Sequence, residues 1–154
     1  MHKHSARGFT LIELLVVTFL LGILASIALL KYMDMRNHAL AAQMSQELRA
    51  IHVAVLNFHS DTEAWPAEVG AGAVPTGLGP LLPGQLAGSL DRGQYMLDYE
   101  NFGSGAPNVM IGVSVTTGDP KLFAKFVLYL GTQSPFFVSG SSMTYLISGP
   151  GGVF

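Results

Sequence analysis

The chain has 154 residues, a formal net charge of −2, only 12% charged residues and no cysteine. That length holds one modest domain, and the weak charge argues against a nucleic-acid surface built on bulk electrostatics, so no nucleic-acid partner is expected. The absence of cysteine excludes disulfides, thiolate metal sites and a cysteine nucleophile.

Residues 1–8, MHKHSARG, form a short basic leader with Lys3 and Arg7. From Phe9 to Leu30 the sequence is apolar. These ~22 residues give about 33 Å of helix, enough to cross a hydrocarbon core of ~30 Å. Basic residues flanking a span tend to stay cytoplasmic, which places everything after Leu30 on the far side. A secretory signal peptide has a shorter apolar core and is cut after it. Here the small residue Gly8 stands before the run, so a cut there removes the charges and keeps the anchor. Glu13 is the one formal charge inside the run, and an ionised carboxylate in a bilayer costs roughly 2.5–3.5 kcal/mol on insertion scales. Gly22 and Ser26, with Ala25 beside them, form a small-xxx-small pair that lets helix backbones approach closely in membranes.

The string Gly8-Phe9-Thr10-Leu11-Ile12-Glu13, directly ahead of an apolar run, resembles the processing site of bacterial type IV prepilins and type II secretion pseudopilins. The resemblance implies that a prepilin peptidase/methyltransferase cuts between Gly8 and Phe9 on the cytoplasmic side and N-methylates Phe9. It further implies that Glu13 is needed for assembly and meets the Phe9 amine of a neighbouring subunit in a helical filament, built on an inner-membrane assembly platform. Such an amine stays cationic near neutral pH, and a charge pair in a low-dielectric bundle would be strong and register-setting, because leaving either charge alone is costly. Two other readings of Glu13 stand beside this one: an acid tolerated near the interface, and an i,i+4 pair with Phe9 within one helix. Most family members have proline where this chain has Leu30, so the helix is expected to continue unbroken.

From Lys31 the composition is mixed, with no breaker before Pro66. Met33, Leu40, Met44, Leu48, Ile51, Val55 and Phe58 recur at helical intervals, with Arg36, Gln43, Gln46, Glu47 and Arg49 off the stripe. One helix from Phe9 to Ser60 is expected, its stripe serving as a packing seam. His38, His52 and His59 recur at multiples of seven, about 10 Å per step, too far apart for one metal; they read as solvent-facing or hydrogen-bonded.

Pro66 stops the helix, and Trp65 is expected to anchor the first loop. Ala67–Ser89, with Leu78, Leu81 and Leu82, reads as a long irregular surface connection. Strands are expected at Gln94–Asn101 and Val109–Thr116 around a turn at Gly103–Pro107. Asp119-Pro120 is an N-cap and first helical residue for a helix from Lys121 to Leu130, ended by Gly131. Pro135–Ser139 and Met143–Ile147 are expected to pair around Gly140-Ser141-Ser142, leaving a loose tail from Gly149.

No GxSxG, HExxH, Walker loop or CxxC occurs. Ser139, Ser141 and Ser142 have no histidine in the C-terminal domain. Some major pseudopilins bind calcium in a C-terminal loop, but of the available carboxylates Asp91, Asp98, Glu100 and Asp119, none follows Gly131. No catalytic residue, metal or cofactor is expected. The expected fold is α+β: a long N-terminal helix, transmembrane then amphipathic, packed on a small antiparallel sheet. Its parts are a leader 1–8, a transmembrane helix 9–30, an amphipathic helix 31–60 and a loop-plus-sheet domain 61–154. The resemblance implies a non-enzymatic subunit of a type IV pilus-like filament or secretion pseudopilus, anchored in inner-membrane lipid with its domain in the periplasm. The alternative is a single-pass membrane-anchored ligand-binding protein outside any filament.

Overall fold

The computed structural model describes residues 9–103, 110–131, 135–150 and 152–154. The leader with Gly8, most of the turn expected at Gly103–Pro107, and Val109 lie outside the described residues. The elements are helix α1 (Leu11–Thr62), a 3-10 turn (Gly79–Leu81), strands β1 (Met96–Asn101) and β2 (Ile111–Thr116), helix α2 (Pro120–Leu130), and strands β3 (Phe136–Ser139), β4 (Ser142–Gly149) and β5 (Gly152–Val153). This is the α+β arrangement expected from the sequence.

Helix α1 starts and stops two residues later than the expected Phe9–Ser60. Its C-terminus closes before Pro66 is reached. Glu63 takes a left-handed backbone (φ 55°) and donates its N–H to the His59 carbonyl at 2.9 Å, which satisfies an end carbonyl and turns the chain.

The chain divides into two compact units, Met1–Arg36 and Asn37–Phe154. In the first, every described residue is exposed, including Leu11 (82%) and Leu24 (63%). A helix that is apolar all round and bare all round needs a cover other than its own domain. Its length and composition suffice to cross a membrane.

In the second unit the sheet runs β1-β2-β4-β3, all antiparallel, with β5 pairing on β4. Register decides its two faces, because side chains alternate along a strand. Leu97 lies opposite Val115 and Val115 opposite Met143, while Tyr99 lies opposite Val113 and Val113 opposite Tyr145. These rows share a core with Ala41, Met44, Leu48, Ile51, Ala54 and Val55 of α1. The other face carries Asp98, Glu100, Ser114, Thr116, Ser142 and Thr144, tied by hydroxyl contacts such as Ser114 to Thr144 at 2.8 Å and Thr116 Oγ1 donating to Ser142 Oγ at 2.9 Å.

Four expectations are corrected in the packing. Met33 is exposed, because the domain's grip on α1 begins only at Asn37. Glu47, placed off the packing stripe by periodicity, is buried at 3% exposure. The connection 67–89 is no loose surface loop. Leu78, Leu82 and Leu86, with Leu90 just beyond, enter the core at four-residue intervals while Leu81 stays partly outside. The tail is not loose either: β5 pairs with β4, and Phe154 N–H donates to the Ile147 carbonyl at 3.0 Å.

Candidate functional site

The sequence concentrates its chemistry at the start of α1. Thr10 is the residue before the helix, and its carbonyl accepts the first helical bond, from Leu14 N–H at 3.2 Å. Its hydroxyl oxygen is 3.3 Å from the Glu13 N–H, which donates to it. In return the Glu13 carboxylate accepts from Thr10 N–H at 2.9 Å and from Thr10 Oγ1 at 2.8 Å, both at Oε2. This reciprocal pattern, Thr-x-x-Glu, is a capping box. It starts the helix at Leu11 and leaves Phe9 outside it. With Gly8 still attached, Phe9 N is an uncharged peptide nitrogen; Phe9 stands outside the helix, and the Thr10 donors hold the Glu13 carboxylate. The sequence carried this signal in Thr10 and Glu13, and periodicity alone passed over it.

Phe9, Ile12, Glu13, Val16 and Val17 line one shallow apolar groove on this helix. Further along, the Ser26 hydroxyl donates to the Ile23 carbonyl at 2.7 Å and Thr18 to Leu15 at 3.0 Å, so these polar atoms are satisfied within the helix. A Cβ built at Gly22 meets nothing within 4 Å, which leaves that face open to close approach. Gly8 lies outside the described residues.

No group of three or more His, Asp or Glu side chains converges on a metal-binding geometry among the described residues. His38 contacts Lys125, His52 lies against Tyr145 with ring centroids 5.4 Å apart, and His59 stacks flat on Trp65 at 3.8 Å. Burial pushes the His52 imidazole below its ordinary value. Trp65, expected to anchor the first loop, thus packs on the end of α1. The carboxylates weighed for calcium are spread over other duties. Asp91 Oδ1 accepts from Gly93 N–H, Glu100 accepts from Ser114, and Asp119 accepts from Lys121 N–H at 2.8 Å and Leu122 N–H at 3.3 Å as the cap of α2. Asp98 sits on the sheet face away from α1. Burial first, then the neighbouring Glu100 charge, pushes its carboxyl up to about 6.

A polar cluster that sequence reasoning missed locks the second unit. Glu47 accepts from Arg92 Nη2 and Gln43 Nε2, each at 2.9 Å, and from the Tyr95 hydroxyl at 2.8 Å. Arg92 also donates through Nη1 to the Gln85 carbonyl at 2.8 Å. Burial, then the Glu47 carboxylate, raises the Tyr95 hydroxyl above its usual range and keeps it a donor. This cluster fastens the connection 67–95 to α1.

Among known families, the model described as the prokaryotic N-terminal methylation motif matches residues 3–29. Fimbrial protein EcpC of Eikenella corrodens is 39% identical over 77 residues, 48% of this chain and 48% of that protein. The matched region thus spans about half the length of that relative. No solved structure matches.

Proposed function

From a chain that is type IV pilin-like in its N-terminal motif and its α+β fold, we propose that this protein is a structural subunit of a membrane-assembled filament of the pilus or pseudopilus kind. A prepilin peptidase cuts after Gly8, the new Phe9 amine is methylated, and the bare helix from Leu11 packs with copies of itself, Gly22 and Ser26 at the contacts. The domain lies on the periplasmic side of the inner membrane before assembly. The observation that carries this reading is the methylation motif placed on an apolar stretch, Leu11–Leu30, that is exposed on every side and whose single acid, Glu13, stands at its mouth.

Three variants test it. Gly8→Leu should leave a full-length precursor in the membrane; normal processing, read by mass spectrometry of the N-terminus, rules out the cleavage assignment. Glu13→Val should insert and be cleaved yet fail to enter filaments. Because Glu13 also caps α1, Glu13→Gln separates the two duties: glutamine keeps the capping box but removes the charge. Insertion and cleavage should then be normal, and filament incorporation should still fall. Full incorporation of Glu13→Gln means that the acid's role is the cap alone. Intact Met1 in mature protein from native membranes favours a plain membrane anchor instead.

A further inference from the structure

We propose that α2 is a membrane-surface helix, docking the domain on anionic lipid headgroups. The inference rests on the reading of Leu11–Leu30 as a membrane span. Helix α2 is held from beneath by Leu122 (2% exposed) and Phe126 (0%), and it turns Lys121, Ala124, Leu128 (80%) and Tyr129 (48%) outward, with Lys125 at the edge. It carries two lysines and no acid. The carboxylate at its head, Asp119, is occupied by the Lys121 and Leu122 N–H groups and by Asn37 Nδ2 at 3.3 Å. An exposed Leu-Tyr pair beside lysines on a short amphipathic helix is the composition that lies in a headgroup layer, tyrosine at the boundary and lysines toward the phosphates.

The chain says which surface is within reach. Lys125 Nζ lies 2.8 Å from His38 Nε2. An ammonium has no acceptor, so it donates and the imidazole accepts. Together with the Asn37–Asp119 bond, this pins α2 to the first residues of the second unit. His38 is eight residues past Leu30, about 12 Å of helical rise. Even fully extended, that tether keeps α2 within roughly 27 Å of where the span ends. His38, Lys125, Leu128 and Tyr129 line one groove on this face, open to an acyl chain or headgroup. Lipid therefore fits both the charge and the tether.

The chain has no cysteine, so single labels are clean. Full-length Leu128→Cys and Ala124→Cys, with Ser60→Cys as a control at the far end of α1, are labelled with a fluorophore. Each is reconstituted in phosphatidylethanolamine–phosphatidylglycerol vesicles containing a headgroup-nitroxide lipid. Quenching at 124 and 128 should exceed that at 60 by roughly twofold or more, and should fall in phosphatidylcholine vesicles or on adding Lys121→Gln and Lys125→Gln. Equal quenching at all three sites overturns the inference. So does quenching indifferent to headgroup charge, or shielding that grows with the protein-to-lipid ratio, which assigns the face to a second copy. Extraction of the chain by alkaline carbonate overturns the anchor and the inference together, whereas a retained chain with unquenched labels overturns the inference alone.

Discussion

Removing the Glu47 side chain is the sharpest test of how the domain is held. Glu47 is 3% exposed and receives three donors, two of them from the far end of the 67–95 connection. In Glu47→Ala the Tyr95 hydroxyl, on a side chain itself 3% exposed, and the Arg92 guanidinium lose their acceptor. Breaking a buried pair by deleting one member costs about 3–5 kcal/mol, because the survivor is left uncompensated. Arg92 keeps its bond to the Gln85 carbonyl and is 20% exposed, so water recovers part of its solvation and the cost falls at the low end, about 3 kcal/mol. Urea denaturation of the full chain in detergent micelles, followed by the fluorescence of its single tryptophan, Trp65, reads this directly. The midpoint should drop with little change in slope. Replacing both partners, Glu47→Met with Arg92→Met, should recover much of the loss, because neither charge is then buried alone. A Glu47→Ala cost under ~1 kcal/mol would show that the clasp is an exposed-type pair of no structural weight.

Other consequences are as specific. Asp98→Asn should stabilise the domain near neutral pH: the folded carboxyl titrates at about 6, above its unfolded value, so the native state holds the extra proton and stability falls as pH rises from about 4 to 6. The gap between wild type and variant in a pH series of urea melts should open by about 1–2 kcal/mol over that window, after allowance for screening, and parallel curves would refute the assignment. Gly77→Ala should cost about 2 kcal/mol or more in the same melts, since a Cβ there meets Phe58 Cε2 at 2.8 Å and the backbone sits at φ 86°. A neutral result would mean that Phe58 swings aside without loss of packing.

What the sequence revealed follows the range of each interaction. Helix α2 was readable to the residue, because Asp119, Pro120 and Gly131 act on their own neighbours. Strands β1 and β2 were readable too, since strand alternation is local. The leucines 78, 82, 86 and 90 bury at fixed intervals in a stretch whose glycines and prolines spoke louder than its spacing. Glu47 gave no warning. Its partners Arg92 and Tyr95 lie 45 and 48 positions away, and a charge on a helix is read as exposed until something distant covers it. The pairing of β5 was hidden for the same reason, in a glycine-rich tail with no period of its own.

The capping box changes how the acid of the anchor is understood. A bare carboxylate in the span would be a net cost awaiting a partner, but this one is received at once by the amide and hydroxyl of Thr10, which offsets part of the insertion penalty in the lone subunit. Both of those bonds fall on Oε2, and an ionised carboxylate has acceptor sites on each oxygen. Oε1 accepts no bond among the described residues. Helix start and subunit contact therefore need not compete: one oxygen can hold the first turn in register while the other faces an incoming amine. In the proposed filament, an amine made by a cut ahead of Phe9 would stand on the residue just before the cap. On meeting the carboxylate of the next copy, that charge would find it where the cap fixes it.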